Sequence, residues 1–455
     1  MYALKIIVIG CGSTGKSLIE NLVNEGHDVA LIDKDPVSLD EAVNAFDVLG
    51  VCGIGTDCEV LDEAGVSHAD LVISVTGSDE LNMLACYIAK TLGAKNTVAR
   101  IRDREYNDKS LGFVQQQLQL SMAINPELSA AYSISKILKF PSAVNVDTFT
   151  SHKFEIVEII LKEGSPLIGT MILDLRKHST ANFLICAVMR NDSVIIPDGR
   201  FVFEDGDRIA VIASPAELNK ISRVLGLLHR RTKDVMILGA GRIAYYLSRM
   251  LLASGSKVTV VDKNQARCSS FSENVQGATV ICGDGANQDM LLEEGLEQTD
   301  AFVSLTGHDE NNILISYFAS SQGVPKVVSK VNRPEFLPIA SKLGIDTVIS
   351  PIQIITDEIV RYVRALQNSL GSNVEKLYKI MDGMAEALEF NVSTDFKWLN
   401  TPLKDIRFKS NILIAGIIRN QKVIVPNGED VITSGDKVIV IAAGHRLLDL
   451  SDIIA

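Results

Sequence analysis

The chain has 455 residues, 47% of them hydrophobic, and its 44 basic against 56 acidic side chains leave a formal charge of −12. That length predicts two to four domains, each able to bury a full core. The acidic balance excludes a nucleic-acid footprint and a polybasic lipid anchor, and no apolar run reaches the roughly 18 residues of a membrane helix.

Strand candidates begin at Lys5–Ile9 and continue with Asp28–Asp33, Asp47–Cys52, Asp70–Thr76, Thr97–Ile101 and Met122–Asn125. The start at Lys5 leaves no stretch for a signal peptide. These runs are short and nearly continuous in apolar character, as parallel strands buried on both faces are. Between them Leu18, Leu22 and Val23, then Leu81, Leu84, Ala85 and Ile88, recur at helical spacing. Alternating strands and helices predict a doubly wound parallel sheet of the Rossmann kind. A helical pattern from Leu128 to Leu138, ended by Pro141, follows as a connector.

From about 150 the pattern changes. Phe154–Leu161, Phe183–Arg190, Ser193–Ile196 and Arg208–Ala213 read as strands, with turn chemistry at Asn191-Asp192 and Pro197-Asp198-Gly199. This predicts a small hairpin-rich α+β domain. The order then restarts, with strand candidates at Asp234–Leu238, Lys257–Asp262, Ala278–Cys282, Ala301–Thr306, Lys326–Val331 and Thr347–Ser350. Residues 351–380 repeat the helical connector. Ile412–Arg419 and Pro426-Asn427-Gly428 repeat the small domain, 229 residues beyond their first copies. The expected fold class is therefore α/β, two Rossmann-like doubly wound parallel sheets, each followed by a small α+β domain. The expected divisions are 1–125, 126–145, 146–228, 229–350, 351–383 and 384–455.

Each Rossmann unit carries a dinucleotide fingerprint. Gly10-Cys11-Gly12-Ser13-Thr14-Gly15 follows the first strand and opens a helix, and Asp33 ends the next strand. Gly239-Ala240-Gly241-Arg242-Ile243-Ala244 and Asp262 repeat this, again 229 residues on. The first glycine permits a tight turn, the second lets backbone approach a pyrophosphate, and the third position lets helix and strand pack closely. The helix N-terminus offers unpaired N–H groups to phosphate. Asp33 and Asp262 would accept from an adenosine ribose diol, which favours NAD(H) over NADP(H), although Lys34 and Lys263 stand next to them.

A second repeated block runs Ser74-Val75-Thr76-Gly77-Ser78-Asp79-Glu80-Leu81-Asn82 and Ser304-Leu305-Thr306-Gly307-His308-Asp309-Glu310-Asn311-Asn312. It sits at the carboxyl end of the fourth strand, facing the same crevice, so Thr76, Gly77, Thr306 and Gly307 are candidate ligand contacts. Asp79, Glu80, Asp309 and Glu310 are expected first as helix-start residues. Gly53-Ile54-Gly55 and Gly283-Asp284-Gly285 follow the third strands and are expected to border the adenine end, with Ile54 where the second copy has Asp284. Arg100 and Lys330 end the fifth strands, where a cation can reach phosphate.

Catalytic chemistry and metal ligation are not expected. None of the seven histidines forms a motif with a second catalytic residue, and only His308 falls near a crevice. The seven cysteines lack zinc spacing and read as reduced thiols. An NAD-dependent oxidoreductase with duplicated domains is the competing class, and it needs a proton donor that no constellation supplies.

The glycine loops with their aspartates and the Thr-Gly-x-Asp-Glu blocks, over nearly the whole chain, resemble RCK domains, the cytosolic regulators of potassium channels and transporters. The resemblance implies NAD(H), and ATP or ADP, bound in each crevice through Gly10–Thr14, Asp33, Thr76, Gly77 and Arg100. In the second half it implies 239–243, Asp262, Thr306 and Gly307, with Lys330 where the family typically has arginine. It also implies a homotetrameric ring, cytoplasmic and peripheral, held to the membrane by an integral-membrane potassium-translocating subunit.

Overall fold

In the computed structural model, residues 3–455 are described except 105, 107, 141, 150–152, 179–180, 225–231, 346 and 369–373. Pro141, His152, His229 and the expected junction at 228–229 lie outside the described residues. The first sheet contains β1 (Lys5–Ile9), β2 (Asp28–Asp33), β3 (Leu49–Cys52), β4 (Leu71–Ser74), β5 (Thr97–Arg100) and β6 (Met122–Ile124). All pairings are parallel, in the order β3-β2-β1-β4-β5-β6. Ile6, Ile7, Val8 and Ile9 are all buried because helices cover both faces. β3 starts two residues later than the sequence suggests. Asp47 takes a left-handed φ of 52° and caps the helix Pro36–Phe46 instead.

The first small domain is a five-stranded sheet of β7 (Ala143–Phe149), β8 (Phe154–Ile160), β9 (Phe183–Arg190), β10 (Ser193–Ile195) and β11 (Arg208–Ala213), ordered β10-β9-β11-β8-β7 and antiparallel. The second Rossmann sheet follows: β12 (Asp234–Leu238), β13 (Lys257–Asp262), β14 (Thr279–Cys282), β15 (Ala301–Ser304), β16 (Lys326–Lys330) and β17 (Val348–Ile349). Its order, β14-β13-β12-β15-β16-β17, reproduces the first. The last sheet holds β18 (Val374–Ile380), β19 (Ala385–Asn391), β20 (Ile412–Arg419), β21 (Lys422–Ile424) and β22 (Lys437–Ala443), in the order β18-β19-β22-β20-β21. β18 corrects the reading of 351–380 as a helical connector, for Val374–Ile380 is a strand.

The chain divides into two units. One comprises Met1–Ala130 with Ser350–Val363, the other Ala131–Ile349 with Arg364–Ala455. The start of helix Pro351–Asn368 therefore belongs to the unit of the first sheet. There Thr356 meets Ser17 at 3.2 Å, and Glu358 accepts from Ser129 at 3.1 Å. The other unit holds both small sheets, which share a core. Phe149, Phe154, Ile156 and Ile212 from one sheet pack with Ala387, Ile418, Ile439 and Ile441 from the other. A Cβ on Gly416 would sit 2.8 Å from Phe154 Cζ, so the strand can press this close only as glycine. β22 is buried on both faces: Val438, Val440 and Ala442 point to a separate core with Leu388 and Phe390.

Each small domain is pinned by a two-pronged ion pair at matching positions. Arg190 grips Asp207 and Arg419 grips Asp436, each through Nε and Nη2 at 2.7–2.9 Å. Burial opposes the charge on Asp436, but Arg419 and the Thr433 hydrogen bonds outweigh it and hold the carboxyl below its ordinary value. A depressed carboxylate contributes stability above its unfolded pKa of about 3.9, and that stability is lost as pH falls through the lower folded value. Asp436→Asn should therefore lower stability at neutral pH and flatten its decline below about pH 4. Urea titrations between neutral and acid pH check both effects.

Candidate nucleotide-binding site

Each crevice opens where the strand order reverses, between β1 and β4 and between β12 and β15. Gly10 has φ +107° and Gly239 φ +101°. A Cβ on Gly10 would lie 3.1 Å from Thr76 N, and one on Gly239 would lie 3.1 Å from Leu305 O. Both the conformation and the close approach demand glycine. Gly12 and Gly241 instead face open space, with nothing within 4 Å of a built Cβ. That is the position where backbone must stay bare for a phosphate. A Cβ on Gly15 would come 1.9 Å from Gly10 O, while the second copy carries a real Cβ there, on the fully buried Ala244.

Asp33 accepts from Cys11 N at 2.5 Å and from Asp35 N at 2.9 Å. Asp262 accepts from Ala240 N at 2.9 Å and Asn264 N at 2.8 Å. Each carboxylate oxygen thus takes one backbone N–H and keeps capacity to accept a second hydrogen bond. Cys11 and Ala240 are spent on this fixing contact. The N–H groups left unpaired by helix geometry are those of Gly12, Ser13, Thr14 and Gly15, and of Gly241, Arg242, Ile243 and Ala244. Ser13 and Arg242 are exposed, whereas Thr14 and Ile243 are buried by their side chains.

Across the crevice, Thr76 and Thr306 are held by asparagines that sequence reasoning left without a role. Asn82, fully buried, accepts from Ser74 Oγ, Thr76 N and Thr76 Oγ1, and donates to Thr76 O and Arg100 O. Asn312 repeats all five bonds with Ser304, Thr306 and Lys330 O. The signal was present as the last residue of each repeated block. Asp79 and Asp309 are buried and accept backbone N–H groups of 102–103 and 332–333. They latch the helix start to the end of the fifth strand and do not point into the crevice as acids. Ser78 caps its helix through Leu81 N, while His308 makes no side-chain cap.

Arg100 reaches back to Thr14 Oγ1 at 3.3 Å and Thr76 O at 2.5 Å. It thereby joins the glycine loop, Thr76 and the fifth strand. Burial, then the neighbouring Arg102, pushes its guanidinium down to about 10, and its buried Nε has no hydrogen-bond partner. A cation so desolvated favours an incoming anion. Lys330, half-buried, occupies the matching place in the second crevice.

Gly53 and Gly283 join through their N–H groups to the carbonyls of Asp33 and Asp262, at 2.9 and 3.1 Å. Ile54 and Asp284 are exposed at the rim, where Asp284 accepts from Ala286 N. The structure adds a packing role for the last glycine of each of these loops, and a cation beside the second. Gly55 and Gly285 pack under Ile9 and Leu238, with built Cβ atoms at 2.3 and 2.1 Å. Arg267 approaches Asp262 to 3.5 Å, where the first half has Ser38.

The geometry defines a class: a tandem Rossmann-type protein with two switch-point crevices. The TrkA-N domain model matches residues 6–121 and 235–351, and the TrkA-C domain model matches 156–226 and 387–455. The Archaeoglobus fulgidus "Trk system potassium uptake protein TrkA homolog" is 30% identical over 99% of this chain and 100% of its own length. TrkA of Halomonas elongata is 31% identical over 97% and 96%. Among solved structures, the GsuK RCK domain superposes with TM-score 0.64 at 16% identity, covering 97% of this chain and 93% of that one. The GsuK channel bound to NAD gives 0.63 at 15%, covering 97% and 77%. The chain belongs to the TrkA family.

The third glycine position separates the two crevices experimentally. Gly15→Ala should destabilise the chain by about 1–3 kcal/mol through overpacking against Gly10. Ala244→Gly should cost only about 1 kcal/mol of helix propensity. Urea unfolding of the two variants measures the difference.

Proposed function

We propose that this protein is a nucleotide-sensing regulatory subunit of a potassium-uptake system, acting by conformational change and not by catalysis. The observation that carries this is the duplicated crevice. Each copy has a bare glycine loop, a fixed carboxylate at the ribose position and the Asn-clamped threonine turn. The residues proposed to hold the ligand are Gly10, Cys11, Gly12, Ser13, Thr14, Asp33, Gly53, Thr76, Gly77 and Arg100. In the second crevice they are Gly239, Ala240, Gly241, Arg242, Ile243, Asp262, Gly283, Asp284, Thr306, Gly307 and Lys330. The potassium-uptake assignment rests on the names of full-length relatives.

NAD(H) is the proposed ligand, with ATP or ADP as alternatives for the same phosphate and ribose contacts. A neighbouring GsuK structure is described as bound to NAD and another as bound to ADP. The nucleotide spans the two halves of a crevice, from the glycine loop to Thr76 or Thr306. It shifts the protein only so far as it binds one arrangement better than another. Residues 1–125 and 229–350 serve as sensing modules, and 146–228 and 384–455 as the coupling domains. Four copies form a ring that docks on the cytoplasmic face of a TrkH-like integral-membrane potassium-translocating subunit. Among the described residues no helix is long and apolar enough to cross a membrane, so this attachment runs through that partner.

The crevices differ at Arg100 and Lys330, Gly15 and Ala244, Ile54 and Asp284, and Ser38 and Arg267. They are therefore proposed to differ in ligand preference. Gly12→Asp and Gly241→Asp place a carboxylate in open space against the pyrophosphate and should each lower affinity at their own crevice about tenfold or more. Calorimetry with NAD+, NADH, ATP and ADP reads this, and unchanged binding in both variants removes the assignment. Potassium flux in vesicles holding the membrane subunit should respond to the same nucleotides. Substrate-dependent oxidation of NADH would revive the oxidoreductase alternative.

A further inference from the structure

Cys282 ends β14 and pairs in register with Asp262 at the end of β13. Cys268, in the helix Gln265–Asn274, donates its thiol to Asp262 O at 3.1 Å and lies 3.8 Å from Ile281 O. The Cys268 sulfur therefore lies against the Ile281–Cys282 step of β14, beside the residue that carries the carboxylate of the ribose position. Both are free thiols, Cys268 buried and Cys282 exposed. The first half offers no such pair. Its matching residues are Leu39, buried under the sheet, and Cys52. The nucleotide reading gives this dithiol no part.

We propose that Cys268 and Cys282 form a reversible disulfide, a redox modification site at the ribose end of the second crevice alone. The oxidant is a low-molecular-weight disulfide. The exposed Cys282 thiolate attacks one of its sulfurs, and the other sulfur leaves as a thiolate that takes up a proton. Cys268 then loses its proton to solvent and attacks the Cys282 sulfur, expelling the second small thiol. Two protein thiols are oxidised, and one small disulfide is reduced to two thiols. Burial, and after it the neighbouring Cys282 and Asp262, push the Cys268 thiol up. That assigns attack to Cys282 and the resolving step to Cys268.

Closing an S–S bond of about 2.05 Å draws the helix toward β14 and removes the thiol donor from Asp262 O. Asn264 caps that helix by accepting from Arg267 N, and its own N–H donates to Asp262 Oδ1. A shift of the helix start therefore moves both the carboxylate and Arg267. Nucleotide affinity at the second crevice should fall about tenfold on oxidation. Only this consequence rests on the nucleotide reading above.

The full chain is treated with glutathione disulfide, and remaining thiols are blocked. Cleavage after acidic residues follows, because Glu273 separates the two cysteines whereas no Lys or Arg does. A cross-linked 268–282 peptide pair, reversed by a reducing agent, is the expected result. Cys268→Ser should instead leave Cys282 as a mixed disulfide. A wild-type chain that carries only mixed disulfides overturns the site. NADH calorimetry is run on the Gly12→Asp chain, reduced and oxidised, with Cys268→Ser as control. Equal affinity in the two states overturns the coupling. A reduced Gly12→Asp chain that binds no nucleotide counts against the nucleotide reading, and the peptide map then decides the cysteine pair.

Discussion

Everything about the crevice depends on how closely two backbone segments can approach at the point where strand order reverses. Gly10 stands over Thr76, and Gly239 over Leu305 and Thr306, each in a left-handed backbone conformation where a Cβ would also crowd the facing backbone at 3.1 Å. That contact sets the distance between the glycine loop and the turn after the fourth strand. It leaves both backbones facing one slot. A side chain there would force the sheet halves apart and move the loop off the helix axis. The favourable alignment of helix dipole with phosphate falls off within the first turn.

The asparagine clamps make this approach durable. Asn82 and Asn312 use both amide ends, so the turn bearing Thr76 or Thr306 is tied to its own strand and to the end of the fifth. Removing such a side chain would strand several buried donors and acceptors at about 1–3 kcal/mol each. The same bonds spend the threonine hydroxyl protons on the asparagine. Each threonine oxygen is therefore left as an acceptor, and the donors left to the crevice are chiefly the backbone N–H groups of the helix start. A donor-rich slot with a carboxylate at one end suits phosphates tethered to a ribose diol. This polarity follows from the clamp.

The features legible in the sequence are those that recur at a fixed shift and depend on local backbone chemistry: the glycine loops, Asp33 and Asp262, the buried parallel strands and the hairpin turns. Two strands escaped. In β7 the register shifts between Ala143 and Asn145, and in β18 between Val374 and Lys376. The bulge in β7 sets Ala143 and Val146 three apart on one face, while in β18 Leu377 and Ile380 fall three apart because they face two different cores, and both spacings mimic a helix face. The packing role of Gly55 and Gly285 escaped for a different reason. Their need is steric contact with the side chain that ends the first strand, which no local turn pattern announces. The role of Asn82 and Asn312 required knowing that the fourth and fifth strands lie side by side.

The small domains show how duplication and divergence share one scaffold. Arg190–Asp207 and Arg419–Asp436 are preserved in both copies, because each Asp also accepts backbone N–H groups that close its own turn. The central strands diverge. Glu158 in β8 is buried with Arg208, Asn145 and the N–H of Met381, and Arg208 continues to Asp382. Glu389, its counterpart in β19, is buried with Lys437, which also pairs with Glu375. An arginine spans from one small sheet to the turn of the other, while the lysine stays within its own sheet. The planar fork of arginine serves two carboxylates in fixed directions, which a lysine point charge does not. The apolar face supplies adhesion between the sheets, and these polar links, with Tyr378 Oη donating to Thr148 O from the other side, favour one register. Two domains of common descent thereby acquire a defined, non-interchangeable pairing.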